Sequence, residues 1–243
     1  TLDDFEFKGK RVLLRSDLNS EVDKGKIILG ERIIQSAKTI RELQKKKARV
    51  VVLAHQGRKG DKDFTSLKQH AKLLNKHVKI KFVDDTIGGK ALAEITRLKD
   101  GEAIVLENVR YLEEEMKPSK DNVMVKKLAP LFDIYLNDAF SVSHREQTSI
   151  VSFAPILVSG VGRVMQRELE SLEKLKMKDT LFLLGGSKAE DELIILKKRD
   201  NVLTSGVLAH VVLWAKGIDA GKDSEGLKGY AEYSSKIRGE ASR

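Results

Sequence analysis

The sequence predicts an α/β fold: a doubly wound, parallel, Rossmann-like sheet, then a connecting helix and an incomplete second α/β domain. Three observations lead there. Short apolar runs of strand length alternate with stretches of helical periodicity, and no hairpin signal interrupts the rhythm. The runs are continuous, as at 50–53 (Val-Val-Val-Leu), which marks strands buried on both faces. Finally, nearly every run stops at a polar segment that carries chemistry-bearing side chains, and in open α/β sheets ligands bind just beyond the carboxyl ends of the strands.

Taken in order, 11–15 reads as a first strand, ending in Asp17-Leu18-Asn19, with a turn over 23–26. From Arg32 a helix is expected, because Ile33, Ala37, Ile40 and Leu43 fall on one face and lysines close it. The strand at 50–53 follows. Ser66 is placed to cap a helix that puts Leu67, Ala71 and Leu74 together. Then come a strand at 79–83, a helix at 89–98, a strand at 103–106, a helix at 121–131 broken near Pro130, and a strand at 134–136. Leu169, Leu172 and Leu175 stripe a charged helix over 164–176. The rhythm then restarts with a strand at 180–184, a helix at 189–198, a strand at 202–203 and a helix at 207–216. The expected domains are therefore 1–163, a connecting helix over 164–178, and 179–243; the tail after Gly217 is assigned no structure.

Composition bounds the function. With 41% apolar and 33% charged residues the 243-residue chain has the balance of a soluble globular protein with ample core. There is no cysteine, so thiolate metal sites and disulfides are excluded, and a reducing, cytoplasmic setting is expected. No apolar run is long enough for a membrane span, and no leader is read at the N-terminus. The net charge of +9 admits a polyanionic partner. Much of it is lysine at helix ends, and aromatic residues make up only 5%, so stacking platforms for nucleic acid are lacking.

The strand ends carry the chemistry. Asp17 and Asn19 follow the first strand; His55, Gln56, Gly57 and Arg58 follow the strand at 50–53; Arg110 follows the next-but-one, and Arg145 lies in the loop after 136. Arg32 opens a helix, where a cation opposes the macrodipole unless an anion is bound. Each arginine alone reads equally as a solvated side chain. Together they put several guanidiniums, which match carboxylate and phosphate oxygens, on one rim of one sheet. A second candidate is Gly185-Gly186-Ser187-Lys188, glycines between a strand and a helix, either a tight turn or a phosphate cradle. It lacks the spacing of a Walker loop. No zinc-ligand spacing, nucleophile elbow or cysteine nucleophile is present, and no metal ligand is assigned.

Five ordered motifs carry a resemblance: Leu14-Arg15-Ser16-Asp17-Leu18-Asn19; Ala54-His55-Gln56-Gly57-Arg58; Leu106-Glu107-Asn108-Val109-Arg110-Tyr111; Leu136-Asn137-Asp138-Ala139-Phe140 with His144-Arg145; and Leu184-Gly185-Gly186-Ser187-Lys188. In this order they resemble phosphoglycerate kinases, in the form of the archaeal branch. The resemblance implies a monomeric two-domain hinge enzyme exchanging a phosphoryl group between ATP/ADP, with Mg2+, and 3-phosphoglycerate. It implies that Asp17, Leu18, Asn19, His55, Gln56, Gly57, Arg58, Arg110 and Arg145 hold the glycerate. Arg32 would face the transferring phosphoryl with Lys188 opposite, and Gly185, Gly186, Ser187, Ser205 and Gly206 would meet the nucleotide. Ser187 stands for the family's alanine, and Ser205-Gly206 for its glycine pair. The family's later phosphate loop, metal-binding Asp and ribose contact have no counterpart. A shortened kinase that binds 3-phosphoglycerate without turnover, or a non-catalytic anion- or nucleic-acid-binding module on the same rim, are the alternative expectations.

Overall fold

Residues 12–16 are all buried, which makes β1 (Arg11–Ser16) a strand covered on both faces. It lies inside a six-stranded sheet in a computed structural model that describes residues 1–175, 180–186, 192, 195, 201–218 and 221. Next comes a small antiparallel hairpin, β2 (Val22–Asp23) and β3 (Lys26–Ile27), where the sequence suggested only a turn. Lys24 and Gly25, both at positive φ, close it. The chain continues through α1 (Glu31–Lys45), β4 (Arg49–Leu53), α2 (Lys68–Leu74), β5 (Lys81–Phe82), α3 (Gly89–Arg97), β6 (Ala103–Val105) and α4 (Val123–Leu128). β7 (Ile134–Asp138), α5 (Thr148–Val151), β8 (Val158–Val161) and α6 (Arg163–Glu173) complete the unit.

The sheet order is β5-β6-β4-β1-β7-β8, and every pairing in it is parallel. Strand periodicity splits the core in two. Val12, Leu14, Val50 and Val52 face a layer containing Ile33, Ile40 and Leu43 of α1. Leu13, Val51 and Leu53 face the opposite layer, with Ile95, Met124 and Phe153. Each such fully buried side chain contributes about 1.5–3 kcal/mol. From β1 the chain moves to one side, to β4, and from β7 to the other, to β8. This opens a crevice above the carboxyl ends of β1 and β7.

Four local readings need correction. β8 was not foreseen, because Val158 is exposed and the segment contains no buried apolar run. Its Gly160 fits since a Cβ there would lie 2.6 Å from the Phe5 ring. The helix expected over 121–131 is α-helical only to Leu128 and tightens to a 3-10 turn at Ala129–Leu131, where Pro130 sits in the first turn. Leu67, not Ser66, occupies the N-cap of α2, while the Ser66 hydroxyl donates to Glu107 Oε2 at 2.6 Å. Gly185 and Gly186, expected in a loop, end a strand.

The described residues fall into two compact units, one through Glu173 and one from Lys174 on. Within the first, α6 packs against β7 and α1. The second contains the parallel pair β9 (Phe182–Gly186) and β10 (Val202–Ser205), covered by α7 (Gly206–Ala215), whose Leu208 and Val211 are buried. No helix among the described residues is long and apolar enough to cross a membrane.

Candidate functional site

The loops beyond β1, β4, β6 and β7 are tied into one surface by side chains that bond backbone. Asp17 Oδ1 accepts the Asn19 N–H at 3.2 Å, and its Oδ2 accepts from Ser141 Oγ at 2.6 Å and pairs with Arg32 Nε at 3.3 Å. Arg32 Nη1 also donates to the Asn19 carbonyl at 2.8 Å. Asn19 Oδ1 accepts the Gly57 N–H at 2.8 Å, and the Gly57 carbonyl accepts from Arg110 Nη1 at 2.6 Å. Gly57 has φ +65°, and a Cβ there would lie 2.6 Å from the backbone of Asp63 and Phe64. Only glycine fits that turn.

Arg58, Arg110 and Arg145 line one pocket of about 570 Å3, and Arg32 lines another, of about 450 Å3, with Asp17 and Ser141. The cations are felt by their neighbours. His55 is buried, and burial together with Arg15, Arg110, Arg32 and Arg145 pushes its pKa down to about 2, so the ring is neutral. Burial and the neighbouring Arg15 likewise depress the Arg110 guanidinium. Like charges held this close favour a ligand that brings negative charge.

A model of the phosphoglycerate kinase family matches residues 2–240. The chain belongs to the phosphoglycerate kinase family. It is 44% identical to the phosphoglycerate kinase of Methanopyrus kandleri, over 98% of this chain and 63% of that one. With that of Sulfurisphaera tokodaii it shares 46% identity over 91% and 58%. Among solved structures, phosphoglycerate kinase from Pyrococcus horikoshii OT3 matches with a TM-score of 0.84 at 37% identity, covering 97% of this chain and 64% of that one. The chain thus spans about three-fifths of the length of the relatives it matches.

Not every residue carried over from phosphoglycerate kinases reaches the surface of this site. Leu18 is in the hydrophobic core, and only its carbonyl is engaged locally, by Ser20 Oγ at 2.8 Å. The Gln56 side chain is buried and braces the loops: its Oε1 accepts the Ser20 N–H at 2.8 Å and meets His70 Nε2 at 3.0 Å, while its Nε2 donates to the Ser20 and Asp63 carbonyls. In the second unit Gly185 lies opposite Ser205, and a Cβ on it would clash with Ser205 Oγ. Its smallness serves strand pairing at that point. Gly206 starts α7 at φ +57°, next to Ser205. Ser187 and Lys188 lie outside the described residues.

Sequence reasoning missed the layer beneath the site. Arg15 is fully buried and donates to Ser149 Oγ, the Ser16 carbonyl and His55 Nδ1. Ser149 in turn donates to the buried Glu115. Asn108 Nδ2 donates to the Gln56 and Thr65 carbonyls, fixing the loop that carries His55. One signal was available: Arg15 interrupts an otherwise apolar buried strand, where a charge needs partners.

Proposed function

We propose that this chain is the 3-phosphoglycerate-holding part of a phosphoglycerate kinase together with the beginning of its nucleotide-binding part. The whole enzyme reversibly exchanges a phosphoryl group between ATP and the carboxylate of 3-phosphoglycerate, giving ADP and an acyl phosphate. The observation that carries this reading is the placement of Arg58, Arg110 and Arg145 around one pocket beside neutral, buried His55. A planar fork of donors from each arginine suits the phosphate and carboxylate of a small, doubly anionic metabolite.

In this reading His55, Asn19, Arg58, Arg110 and Arg145 hold the glycerate, and Asp17 holds Arg32. Two nitrogens of Arg32 are fixed by Asp17 and Asn19, which leaves Nη2 for the transferring group. Phosphoryl transfer needs little covalent help from the protein; it needs positioning and positive charge around the equatorial oxygens. Lys188, with Gly185, Gly186, Ser187, Ser205 and Gly206, is assigned to the nucleotide side by family resemblance. ATP or ADP is the implied co-substrate, with Mg2+. Among the described residues no group of three acidic or imidazole side chains could hold a metal, so none is assigned to it.

The test is thermal melting with 3-phosphoglycerate, inorganic phosphate and ATP at matched ionic strength. A ligand at a hundred times its Kd adds about 2.7 kcal/mol, or roughly 2–4 °C per kcal/mol for a chain of this size. 3-Phosphoglycerate is expected to stabilise more than phosphate, which cannot bridge the arginines. Equal stabilisation by all anions, or steeply salt-dependent binding of nucleic acid without a response to 3-phosphoglycerate, would instead identify a general anion-binding module.

A further inference from the structure

We propose that Arg15 is a positioning residue that fixes His55 in the tautomer carrying its proton on Nε2, so that the site presents a neutral imidazole N–H to its anion. This rests on the phosphoglycerate-binding reading only for what the anion is; the tautomer itself follows from the direction of a buried hydrogen-bond chain.

The chain has one possible polarity. Glu115, fully buried, accepts from Ser149 Oγ at 2.7 Å and from the Ser149 N–H at 2.9 Å. With its one O–H directed to Glu115, the Ser149 hydroxyl has only lone pairs left for Arg15, whose Nε donates to it at 2.8 Å. Arg15 Nη1 donates to the Ser16 carbonyl at 2.6 Å. Arg15 Nη2 lies 3.1 Å from His55 Nδ1. A guanidinium has five donors and no acceptor and does not deprotonate, so Nδ1 must accept. The ring proton therefore sits on Nε2, which meets no protein acceptor among the described residues.

The charges around the ring keep it in that state. Burial opposes a second ring proton, and so do Arg15 on β1, Arg110 after β6, Arg32 on α1 and Arg145 after β7. The carboxylates nearby are committed elsewhere: Asp17 to Arg32 and Ser141, Glu115 to Ser149. The arrangement separates two tasks. The arginines supply charge, and His55 supplies a directional donor whose proton does not come and go with pH.

The experiment is 15N NMR of the His55 ring in the intact protein from pH 5 to pH 8, without ligand and with 3-phosphoglycerate. The expected spectrum shows an unprotonated Nδ1, a protonated Nε2 and no titration across that range. Arg15→Met alone strands Glu115, so it is paired with Glu115→Gln to keep the buried network neutral. In the double variant both tautomers should appear and 3-phosphoglycerate should bind about ten- to a hundredfold more weakly, the size of one lost hydrogen bond to a charged group. A proton on Nδ1 in the wild type, or an unchanged tautomer in the folded double variant, would overturn the proposal. The wild-type spectrum needs no variant to fold. A correct tautomer without 3-phosphoglycerate binding would instead reject the proposed function and leave this inference standing.

Discussion

Asn19 Oδ1 accepts the backbone N–H of Gly57 at 2.8 Å, and by that bond the loop after β1 holds the loop after β4. The two residues are neighbours only because β1 and β4 pair in parallel, with Arg15 opposite Leu53. Asp17, Asn19, His55 and Arg58 are thus parts of one braced unit.

Gly57 is the weak point of that unit for mutation. Its φ of +65° disfavours any side chain by about 1–2 kcal/mol, and a Cβ would press on backbone, which yields little. Gly57→Ala should lose about 2 kcal/mol or more of stability and displace Arg58 and the carbonyl held by Arg110. Urea unfolding together with 3-phosphoglycerate titration checks this; a variant as stable and as tight as the parent would contradict it.

Arg58 and Arg32 should fail differently in the complete enzyme. Arg58, in the pocket with Arg110 and Arg145, is expected to hold substrate in ground and transition states alike, so Arg58→Ala should chiefly raise KM. Arg32 is expected to act on the transferring group, and Arg32→Ala should lower kcat by on the order of a hundredfold or more. Steady-state kinetics decide, and a pure KM effect for both would remove the distinction.

Asp138 should make stability fall as pH rises. Its carboxyl is buried at the end of β7, where Oδ1 accepts the N–H groups of Val164 and Met165 and so caps α6. Burial pushes its pKa up to about 6 from 3.8, against the lowering effect of those N–H groups and Thr39. A folded pKa above the unfolded one means the group favours the fold below about pH 4 and that this contribution is lost as pH passes 6. The shift corresponds to at most about 3 kcal/mol. Asp138→Asn keeps an acceptor for the cap and cannot ionise, so its stability relative to wild type should improve between pH 4 and 7. Parallel pH dependences in chemical unfolding would refute this.

Arg163 should matter in the opposite direction on the pH scale. Its Nε and Nη2 reach Glu42 at 2.9 and 2.6 Å, and Nη1 and Nη2 reach Asp3 at 2.6 Å each. Those bonds hold the Asp3 carboxyl down to about 2 and lower that of Glu42. Depressed carboxylates add stability above their unfolded pKa values, and it disappears as pH falls through the folded ones. Arg163→Met should therefore melt below wild type at neutral pH, with the two melting temperatures converging toward pH 2. A constant difference down to pH 2 would show that the guanidinium acts by packing alone.

Much of this architecture was legible in the residues. The continuous apolar run at 50–53 announced a strand covered on both faces, 11–15 and 103–106 read as further strands, and a parallel sheet sends all its carboxyl ends to one edge. That is why Asp17, His55, Arg58, Arg110 and Arg145 group together from the sequence alone. β8 could not be read, because an edge strand with exposed Val158 leaves no periodic trace, and Gly160 is explained only by the Phe5 ring above it.

What the sequence alone determined was the order of most elements, the rim on which the cationic side chains stand, and the family. Tertiary structure decided how those side chains are used: that Leu18 and Gln56 turn inward, that Arg32 is held by Asp17 while three other arginines share a pocket, and that Arg15 donates to His55. Strand and helix periods are local and can be read along the chain. Burial, pairing and the direction of a hydrogen bond depend on partners such as Ser149 and Glu115, which lie far from Arg15 in sequence and meet it only when the sheet has formed.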